Sequence, residues 1–284
     1  MMRRVLLVVG VCALTGCDLL KSGNEPTPVP STEVHYEALG ASDTIGYGSS
    51  APCLPFVECT AGPGYVQRVA RRFQSDGKAV TLNNLGVPGA VLSPAVQALG
   101  NSMGLDILRN VLNDEAPYVR RTSTLVTVFI GANDANTIGR AVRAGLGGSN
   151  PGAWAGTQIE NFARDMKTFV TTVRGRSPNA RIVALNLPNM AHTPYASGLS
   201  LEEKRYLQAV SAGFSAGINA LAADGVVVVD LMCDANFYNP AIFSSDGFHP
   251  NDAGYGYMAD LVYAAASTGA AAAPRGFCNF MSIY

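Results

Sequence analysis

Five short apolar runs alternate along the chain with longer segments in which apolar residues recur at helical spacing. The runs predict buried strands at Val34–Leu39, Ala79–Asn83, Leu125–Ile130, Arg181–Leu187 and Val226–Leu231. The segments between and after them predict helices at Gly64–Gln74, Gly104–Asn113, Gln158–Arg174, Leu201–Ala223 and Asp252–Ala266. The last three strands are nearly continuous and rich in β-branched residues, as are strands covered on both faces. The alternation therefore predicts a single α/β domain, a three-layer αβα sandwich with a central five-stranded parallel sheet.

The first residues follow a different pattern. Two arginines precede a short apolar run, Val5–Leu14, and such a start is typical of a secretory signal, since a membrane span needs about 18 apolar residues. The run ends in Leu14-Thr15-Gly16-Cys17, which resembles the lipobox of bacterial lipoproteins and implies a lipid on Cys17. The three prolines of residues 18–31 favour an extended tether. The predicted division is a signal peptide at 1–16, lipidated Cys17 and tether at 17–32, and one domain at 33–284. We therefore expect an extracytoplasmic protein anchored to a membrane of the cell envelope.

Charge and composition narrow the possible functions. Only 14% of the residues are charged, and 20 Lys+Arg against 21 Asp+Glu give a formal net charge of -1. A nucleic-acid-binding protein needs a basic surface for phosphate contacts, and this chain offers none. No metal-ligand spacing and no phosphate-binding loop are present in the sequence, so we expect neither a metal nor an organic cofactor.

Six cysteines fit an extracytoplasmic location. Cys12 lies in the predicted signal and Cys17 at the lipidation site, which leaves Cys53, Cys59, Cys233 and Cys278. An even number of cysteines outside the cytoplasm favours disulfides, with three possible connectivities. Locality along the chain favours Cys53 with Cys59 and Cys233 with Cys278. A zinc site is the alternative, although no C-x-x-C spacing supports it.

Residues with catalytic potential follow four of the five predicted strands. They are Ser42 after the first strand, Gly86 after the second, Asn133 after the third, and Asp246 with His249 after the fifth. The carboxyl ends of parallel strands meet at one edge of a sheet, so these residues are expected to lie together. A serine becomes a nucleophile when a base and donors for the developing oxyanion are positioned beside it. Each residue alone has an ordinary alternative as a helix cap or turn residue, and only their joint placement indicates acyl transfer.

Four blocks of sequence carry a resemblance to a known family. The blocks GASDTIGYG, NLGVPGA, GANDAN and DGFHPNDAGY resemble those of the SGNH (GDSL-type) esterase/lipase family, over about Leu39 to Gly254. The resemblance implies a flavodoxin-like fold and a cofactor-independent esterase or lipase. It implies Ser42 as nucleophile, His249 as base with Asp246 behind it, and the N–H groups of Ser42 and Gly86 with the Asn133 amide as oxyanion donors. The first block departs from the family pattern, because Asp43 follows the serine and no acid precedes it.

The substrate remains open between several classes. Lipid or short-chain acyl esters are the first expectation, and O-acetyl groups of a glycan are the alternative. A surface-anchored binding module without turnover is a third possibility, but binding alone would not require the full set of five residues. Gly213–Gly217 also matches the G-x-S-x-G motif around Ser215. That motif needs a preceding strand, and this copy lies in helical sequence, so we predict a packing role for it.

Two segments are expected to be long loops that shape the substrate pocket, with ordinary surface loops as the alternative. Residues 139–156 contain the only tryptophan, Trp154, and residues 189–200 contain Met190, His192 and Tyr195. Long loops over a catalytic edge commonly form pocket walls or lids. Trp154, Met190 and Tyr195 are therefore the predicted pocket residues. His192 has no acid at useful spacing and is expected to be structural or pocket-lining.

Overall fold

Five parallel strands form one sheet in a computed structural model of the chain, which describes residues 32–54 and 59–284. The strands are β1 (Glu33–Gly40), β2 (Ala79–Asn84), β3 (Leu125–Phe129), β4 (Arg181–Leu185) and β5 (Val227–Val229). Their order across the sheet is β2-β1-β3-β4-β5, and every neighbouring pair is parallel. The predicted five-stranded parallel sheet is therefore confirmed, and every strand end agrees with the prediction within two residues.

Alternate residues of the central strands face two separate apolar layers. Val126 and Val128 of β3 belong to one buried cluster, and Leu125 and Phe129 belong to the other. Both faces of the sheet are thus covered, which explains why these strands are apolar at most positions instead of at every second one.

Seven α-helices cover the sheet in the described residues. They are α1 (Tyr65–Ser75), α2 (Pro94–Ser102), α3 (Val111–Asp114), α4 (Ala132–Arg143), α5 (Pro151–Arg176), α6 (Leu201–Ala220) and α7 (Asp252–Thr268). Helices α1 and α7 pack together on one face, and α4, α5 and α6 pack on the other. The three-layer αβα sandwich is the fold that the alternation of elements predicts.

The prediction of a helix at Gly104–Asn113 is wrong. The chain forms α2 ten residues earlier, begins it with Pro94 at the first turn, and ends it before Gly104, which has φ +75°. Residues 105–109 are irregular, and side chains of α2 hold them: Gln97 and Asn101 donate hydrogen bonds to the Ile107 carbonyl. A left-handed glycine ends a helix by turning the chain, so Gly104 separates α2 from α3.

The long loop predicted at residues 139–156 is also wrong. Helix α4 continues to Arg143 and α5 begins at Pro151, which leaves only residues 144–150 as a connection. Asn150 caps α5 by accepting a hydrogen bond from the Ala153 N–H, and a proline at the first turn is pre-set for a helix. Of the glycines that suggested a loop, Gly139, Gly152 and Gly156 lie inside these helices, and the others lie in the short connection.

Both disulfides favoured by locality are present. The Cα atoms of Cys53 and Cys59 are 5.7 Å apart, and those of Cys233 and Cys278 are 5.8 Å apart. The second disulfide joins the chain end to the segment after β5, where Phe280 stacks on Tyr238 with ring centroids 4.2 Å apart. No helix of the described residues has the length and apolar character to cross a membrane. The predicted signal peptide, Cys17 and the tether up to residue 31 lie outside the described residues.

Candidate active site

Ser42 lies where β1 ends, directly beside the point at which the strand order of the sheet reverses. Gly40 has φ +135°, and a Cβ at that position would lie 2.1 Å from the Phe129 carbonyl oxygen. Only glycine permits this close approach of β1 to β3. The chain then turns into a short 3-10 helix, Ser42–Ile45, that leaves Ser42 only 5% exposed. Within the described residues, the Ser42 N–H makes no hydrogen bond and stays available as a donor.

His249 and Asp246 reach Ser42 from the loop that precedes α7. The Oγ of Ser42 lies 2.7 Å from Nε2 of His249, although the two residues are 207 positions apart in the sequence. The other ring nitrogen, Nδ1, lies 2.7 Å from Oδ2 of Asp246. The structure therefore brings together the three residues that the sequence predicts as nucleophile, base and orienting acid.

The carboxylate of Asp246 fixes the tautomer of the imidazole. Its Oδ1 accepts hydrogen bonds from the Ser244 hydroxyl and from the N–H groups of Phe248 and His249, at 2.8 to 2.9 Å. Burial opposes ionisation, but these bonds and the one from the His249 ring lower the pKa of Asp246 to about 2. An ionised carboxylate only accepts hydrogen bonds. Nδ1 of His249 therefore carries the ring proton, and Nε2 is free to accept from Ser42.

Two aromatic rings hold the imidazole of His249 in place. The Tyr47 ring centroid lies 4.7 Å away, and that of Phe248 lies 4.8 Å away. The Tyr47 carbonyl is itself fixed, because it accepts a hydrogen bond of 2.6 Å from the hydroxyl of Tyr255 in α7. Rigid neighbours of this kind keep a catalytic base in one orientation before substrate arrives.

Asn133 lies in the first turn of α4, directly after β3. Its Nδ2 donates one hydrogen bond of 2.9 Å to the Ala90 carbonyl. An amide nitrogen has two hydrogens, so one donor remains. The next residue strengthens the same connection, because Oδ1 of Asp134 accepts the Leu92 N–H at 2.9 Å. The loop after β2 is thus tied to the start of α4 by two adjacent residues.

Gly86 is not placed as an available donor. Its N–H donates to Oδ1 of Asn84 at 3.2 Å, and a Cβ on Gly86 would lie 1.8 Å from Oγ1 of Thr44. The glycine is therefore needed for close packing of the loop. Gly89, in contrast, has φ +78°, and its N–H makes no hydrogen bond within the described residues. Gly89 directly precedes Ala90, whose carbonyl accepts from Asn133.

Three buried carboxyl groups surround this region. Burial raises the pKa of Asp43, although the charge of His249 and a hydrogen bond from Tyr255 lower it. Burial likewise raises the pKa of Asp134 to about 7 against the hydrogen bond from the Leu92 N–H, and raises that of Glu115 well above its ordinary value. Oε2 of Glu115 accepts the Gly40 N–H at 2.7 Å. Glu115 thus fixes the backbone two residues before Ser42, and Asp134 fixes the backbone of Leu92 in the loop after β2.

The predicted pocket residues fall in different environments. Met190 is buried and lines a small cavity together with Asp43 and Phe248. The ring of Tyr195 packs edge-on against Phe248 at 5.0 Å, and its hydroxyl donates to Oδ1 of Asn136 at 2.7 Å. Trp154 lies in the first turn of α5, where it packs against the apolar core, and lines none of the cavities that the structure shows beside Ser42.

The other sequence candidates have structural roles. His192 lies among the rings of Tyr238, Phe280 and Tyr284, at 5.4 to 6.4 Å between centroids, and burial lowers its pKa. Ser215 of the G-x-S-x-G match is fully buried in α6 and donates to the Leu187 carbonyl at 2.7 Å. The expectation that this motif packs a helix agrees with these contacts.

Sequence reasoning missed Asn136, Arg140 and Gly89. Asn136 and Arg140 lie at helical spacing from Asn133, but no helix was predicted at this point, and Arg140 falls in the segment 139–156 that was interpreted as a loop. Gly89 lies in the block NLGVPGA, and the one local signal that separates its two glycines is Asn84, whose side chain can accept the N–H two residues on, that of Gly86.

The parallel sheet and the polar groups gathered at its reversal point define an ester-hydrolysing enzyme of the three-layer α/β class. The chain belongs to the GDSL-like lipase/acylhydrolase family, whose sequence model matches residues 38–257. No curated protein matches the chain in sequence.

Solved structures with the same fold include three lipolytic enzymes. A lipase from a goat rumen metagenome, Lip_vut3, has 18% identity and a TM-score of 0.56, over 86% of this chain and 100% of that chain. An extracellular lipase from Streptomyces rimosus has 19% identity and a TM-score of 0.55, over 83% and 100%. A phospholipase A1 from Streptomyces albidoflavus has 18% identity and a TM-score of 0.54, over 83% and 99%. At these identities the likeness concerns the fold.

Proposed function

We propose that this enzyme hydrolyses carboxylic esters of short acyl groups through an acyl-enzyme intermediate on Ser42. The observation that carries the proposal is the continuous contact from Ser42 Oγ to His249 Nε2 and from His249 Nδ1 to Asp246, at 2.7 Å each. A serine with a positioned base and an orienting acid is the arrangement that nucleophilic acyl transfer needs.

The reaction proceeds in two halves. Ser42 Oγ attacks the ester carbonyl while Nε2 of His249 takes the hydroxyl proton, and the same proton then passes to the departing alcohol. Water next attacks the acyl-enzyme, with His249 as base, and releases the carboxylic acid and free Ser42. Asp246 remains ionised throughout and stabilises the imidazolium that forms in each half.

Three N–H donors would hold the developing oxyanion. The Ser42 N–H and the second hydrogen of the Asn133 amide have no partner in the described residues. We assign the third donor to the Gly89 N–H in place of the Gly86 N–H, because Gly86 already donates to Asn84. Donors that are in place before the reaction need no reorganisation when charge develops on the carbonyl oxygen.

The space around the nucleophile supports a short acyl group. Two cavities of about 20 Å³ and about 10 Å³ share four lining residues, and the smaller one is also lined by Asn133 and by Ala41, the residue before Ser42. The shared residues are Asp43, Phe129, Ala132 and Phe248. On this scale a volume of about 10 to 15 Å³ holds a single water molecule, so neither cavity takes a long acyl chain.

Hydrolysis of p-nitrophenyl esters from acetate to palmitate tests the function and the acyl length together. We expect the highest kcat/KM between acetate and butyrate, and labelling of the protein by a serine-directed fluorophosphonate. A maximum at palmitate would contradict the short acyl pocket. Labelling without turnover would favour the glycan O-acetyl alternative, and the absence of both would favour a binding module.

Asn133→Ala is expected to lower kcat by about 10²- to 10³-fold with little change in KM, because an oxyanion donor acts mainly in the transition state. The measurement is steady-state kinetics with p-nitrophenyl butyrate. Asn133→Asp has nearly the same shape but no N–H donor, so it should show a similar loss of kcat. A raised KM with unchanged kcat in both variants would assign Asn133 to substrate binding instead.

We also propose that the mature protein is anchored through a lipid on Cys17, which lies outside the described residues. The lipobox-like sequence Leu14-Thr15-Gly16-Cys17 supports this proposal. Radiolabelled palmitate should be incorporated by the wild-type chain and by Cys12→Ala, and lost in Cys17→Ala. Equal incorporation in Cys17→Ala would contradict the anchor.

A further inference from the structure

Apart from the two small cavities near the nucleophile, a cavity of about 340 Å³ lies between α4 and the beginning of α6. Residues 136–143 of α4 form one wall, and residues 195–207 form the other. We call it the α4–α6 cavity. Its described lining combines apolar groups such as Leu199 and Leu207 with charged groups at the mouth. The mechanism proposed above uses none of these residues.

The α4–α6 cavity lies along the same helix as the oxyanion donor Asn133. Asn133, Asn136 and Arg140 follow one another at helical spacings of three and four residues, which places them on one face of α4. From Asn133 to Arg140 the helix rises by about 10 Å, and side chains lean back toward the helix amino end. Arg140 therefore lies about two helical turns from Asn133 on the same face of α4.

This face of α4 offers hydrogen-bond donors. Oδ1 of Asn136 already accepts the hydroxyl of Tyr195 at 2.7 Å, so the amide nitrogen of Asn136 is the group left for a ligand. Arg143 is paired with Glu203 at 3.1 Å. Arg140 makes no ion pair or hydrogen bond within the described residues. An unpaired guanidinium beside a free amide fits an oxyanion, above all a phosphate, which Arg can bind in a bidentate way.

Tyr195 forms a common wall between this cavity and the catalytic residues. Its ring contacts Phe248, which in turn contacts the His249 ring, and its N–H donates to the Gly247 carbonyl at 2.9 Å. Two packed rings, those of Tyr195 and Phe248, thus link the wall of the α4–α6 cavity to the imidazole of His249.

We propose that the α4–α6 cavity binds a phosphate group on the alcohol half of the ester substrate, with Arg140 and the Asn136 amide as its ligands. The proposal rests on the ester hydrolysis described above. It predicts a preference for an anionic ester over a neutral ester that has the same acyl group. Glu202 also lies at the mouth of the cavity and opposes an anion there, so its removal should strengthen the preference.

The test compares 1-butyrylglycerol 3-phosphate with 1-butyrylglycerol. We expect kcat/KM of the wild-type enzyme to be about tenfold higher for the phosphate ester, in the range of one charge-assisted hydrogen bond. Arg140→Gln should bring the ratio of the two kcat/KM values close to one, and Glu202→Gln should raise it. Arg205→Gln is the matched control, because Arg205 is exposed on α6 and does not line the cavity. A ratio that is unchanged in Arg140→Gln would overturn the proposal.

A second variant fills the cavity without disturbing the fold. Gly139 lies inside α4 and lines the cavity, and a Cβ at this position would meet no atom within 4 Å. Gly139→Met should therefore fold and should lower the ratio by occupying the phosphate position. Gly156→Met is the control, since Gly156 is equally open but lies in α5 outside the cavity. An equal ratio in the two methionine variants would contradict the assigned position.

Binding separates failure of this inference from failure of the proposed function. In a Ser42→Ala background neither ester is cleaved by the proposed route, so the Kd of each can be measured by calorimetry. We expect tighter binding of the phosphate ester and loss of that difference on adding Arg140→Gln. Equal Kd values would overturn the phosphate site even if the enzyme hydrolyses neutral esters. If the phosphate ester binds more tightly to Ser42→Ala but the wild-type enzyme hydrolyses neither ester, the phosphate site is supported and the esterase mechanism is rejected.

Discussion

Ser42→Ala is expected to lower kcat for p-nitrophenyl butyrate by about 10⁶-fold, the scale seen when a serine nucleophile is removed. The reason is geometric: within the described residues, Ser42 Oγ is the only hydroxyl in contact with Nε2 of His249. The residual rate would come from the oxyanion donors and from substrate binding, which survive the substitution. Labelling by a fluorophosphonate should disappear in the same variant, because the nucleophile itself is the labelled atom.

Ser215→Ala is the matched control for this experiment. Ser215 is the serine of the G-x-S-x-G match, but it is buried in α6 and bonded to the Leu187 carbonyl. Its loss should leave kcat within about twofold and destabilise the fold by about 1 kcal/mol, the net worth of one hydrogen bond. Full activity in Ser42→Ala, or loss of labelling in Ser215→Ala, would reverse the assignment of the nucleophile.

Asp246→Asn is expected to lower kcat by about 10⁴-fold, as in other Ser-His-Asp sites. Oδ1 of Asp246 accepts three hydrogen bonds, and Oδ2 faces Nδ1 of His249. An asparagine can keep its oxygen at the Oδ1 position, and its NH₂ group then faces Nδ1. The imidazole would have to accept there and carry its proton on Nε2, so it could no longer take the proton of Ser42.

Asp260→Asn provides the control for this substitution. Asp260 is exposed on α7 and paired with Arg72, on the helical layer formed by α1 and α7. The kcat of Asp260→Asn should stay within about twofold of the wild-type value. An exposed ion pair contributes little to stability, and this one lies away from Ser42. A similar loss of activity in both variants would show that Asp246→Asn acts by general destabilisation.

Asp246→Asn should also change how the stability of the fold depends on pH. Hydrogen bonds to its carboxylate lower the pKa of Asp246 from its ordinary value to about 2 in the folded protein. A carboxyl group with a lowered folded pKa stabilises the fold above its unfolded pKa, and this contribution is lost as pH falls toward 2. Urea unfolding should therefore find Asp246→Asn less stable than the wild type at pH 7, with the difference shrinking near pH 2. A constant difference at both pH values would contradict the lowered pKa.

The local pattern of the sequence was enough to predict the sheet. Runs such as Leu125–Ile130 and Val226–Leu231 are apolar at nearly every position, and their short length and β-branched residues favour a strand buried on both faces over a buried helix. The helix α4 was not predicted, because Gly131 and Gly139 weaken the helical signal of Ala132–Arg143. Tertiary packing of α4 against α2 and α6 outweighs that weak propensity.

The sequence by itself determined the order of the strands along the chain and which chemical groups follow each one. It therefore predicted that Ser42, Asn133, Asp246 and His249 share one edge of a parallel sheet. Only the tertiary structure decided which backbone N–H groups remain free and where the α4–α6 cavity lies. The physical reason is that these features depend on contacts between distant segments: Asn133 with Ala90 is 43 residues apart, and Tyr195 with Asn136 is 59 apart. The choice between the two glycines is an exception, because the group that occupies the Gly86 N–H is the side chain of Asn84, only two residues away.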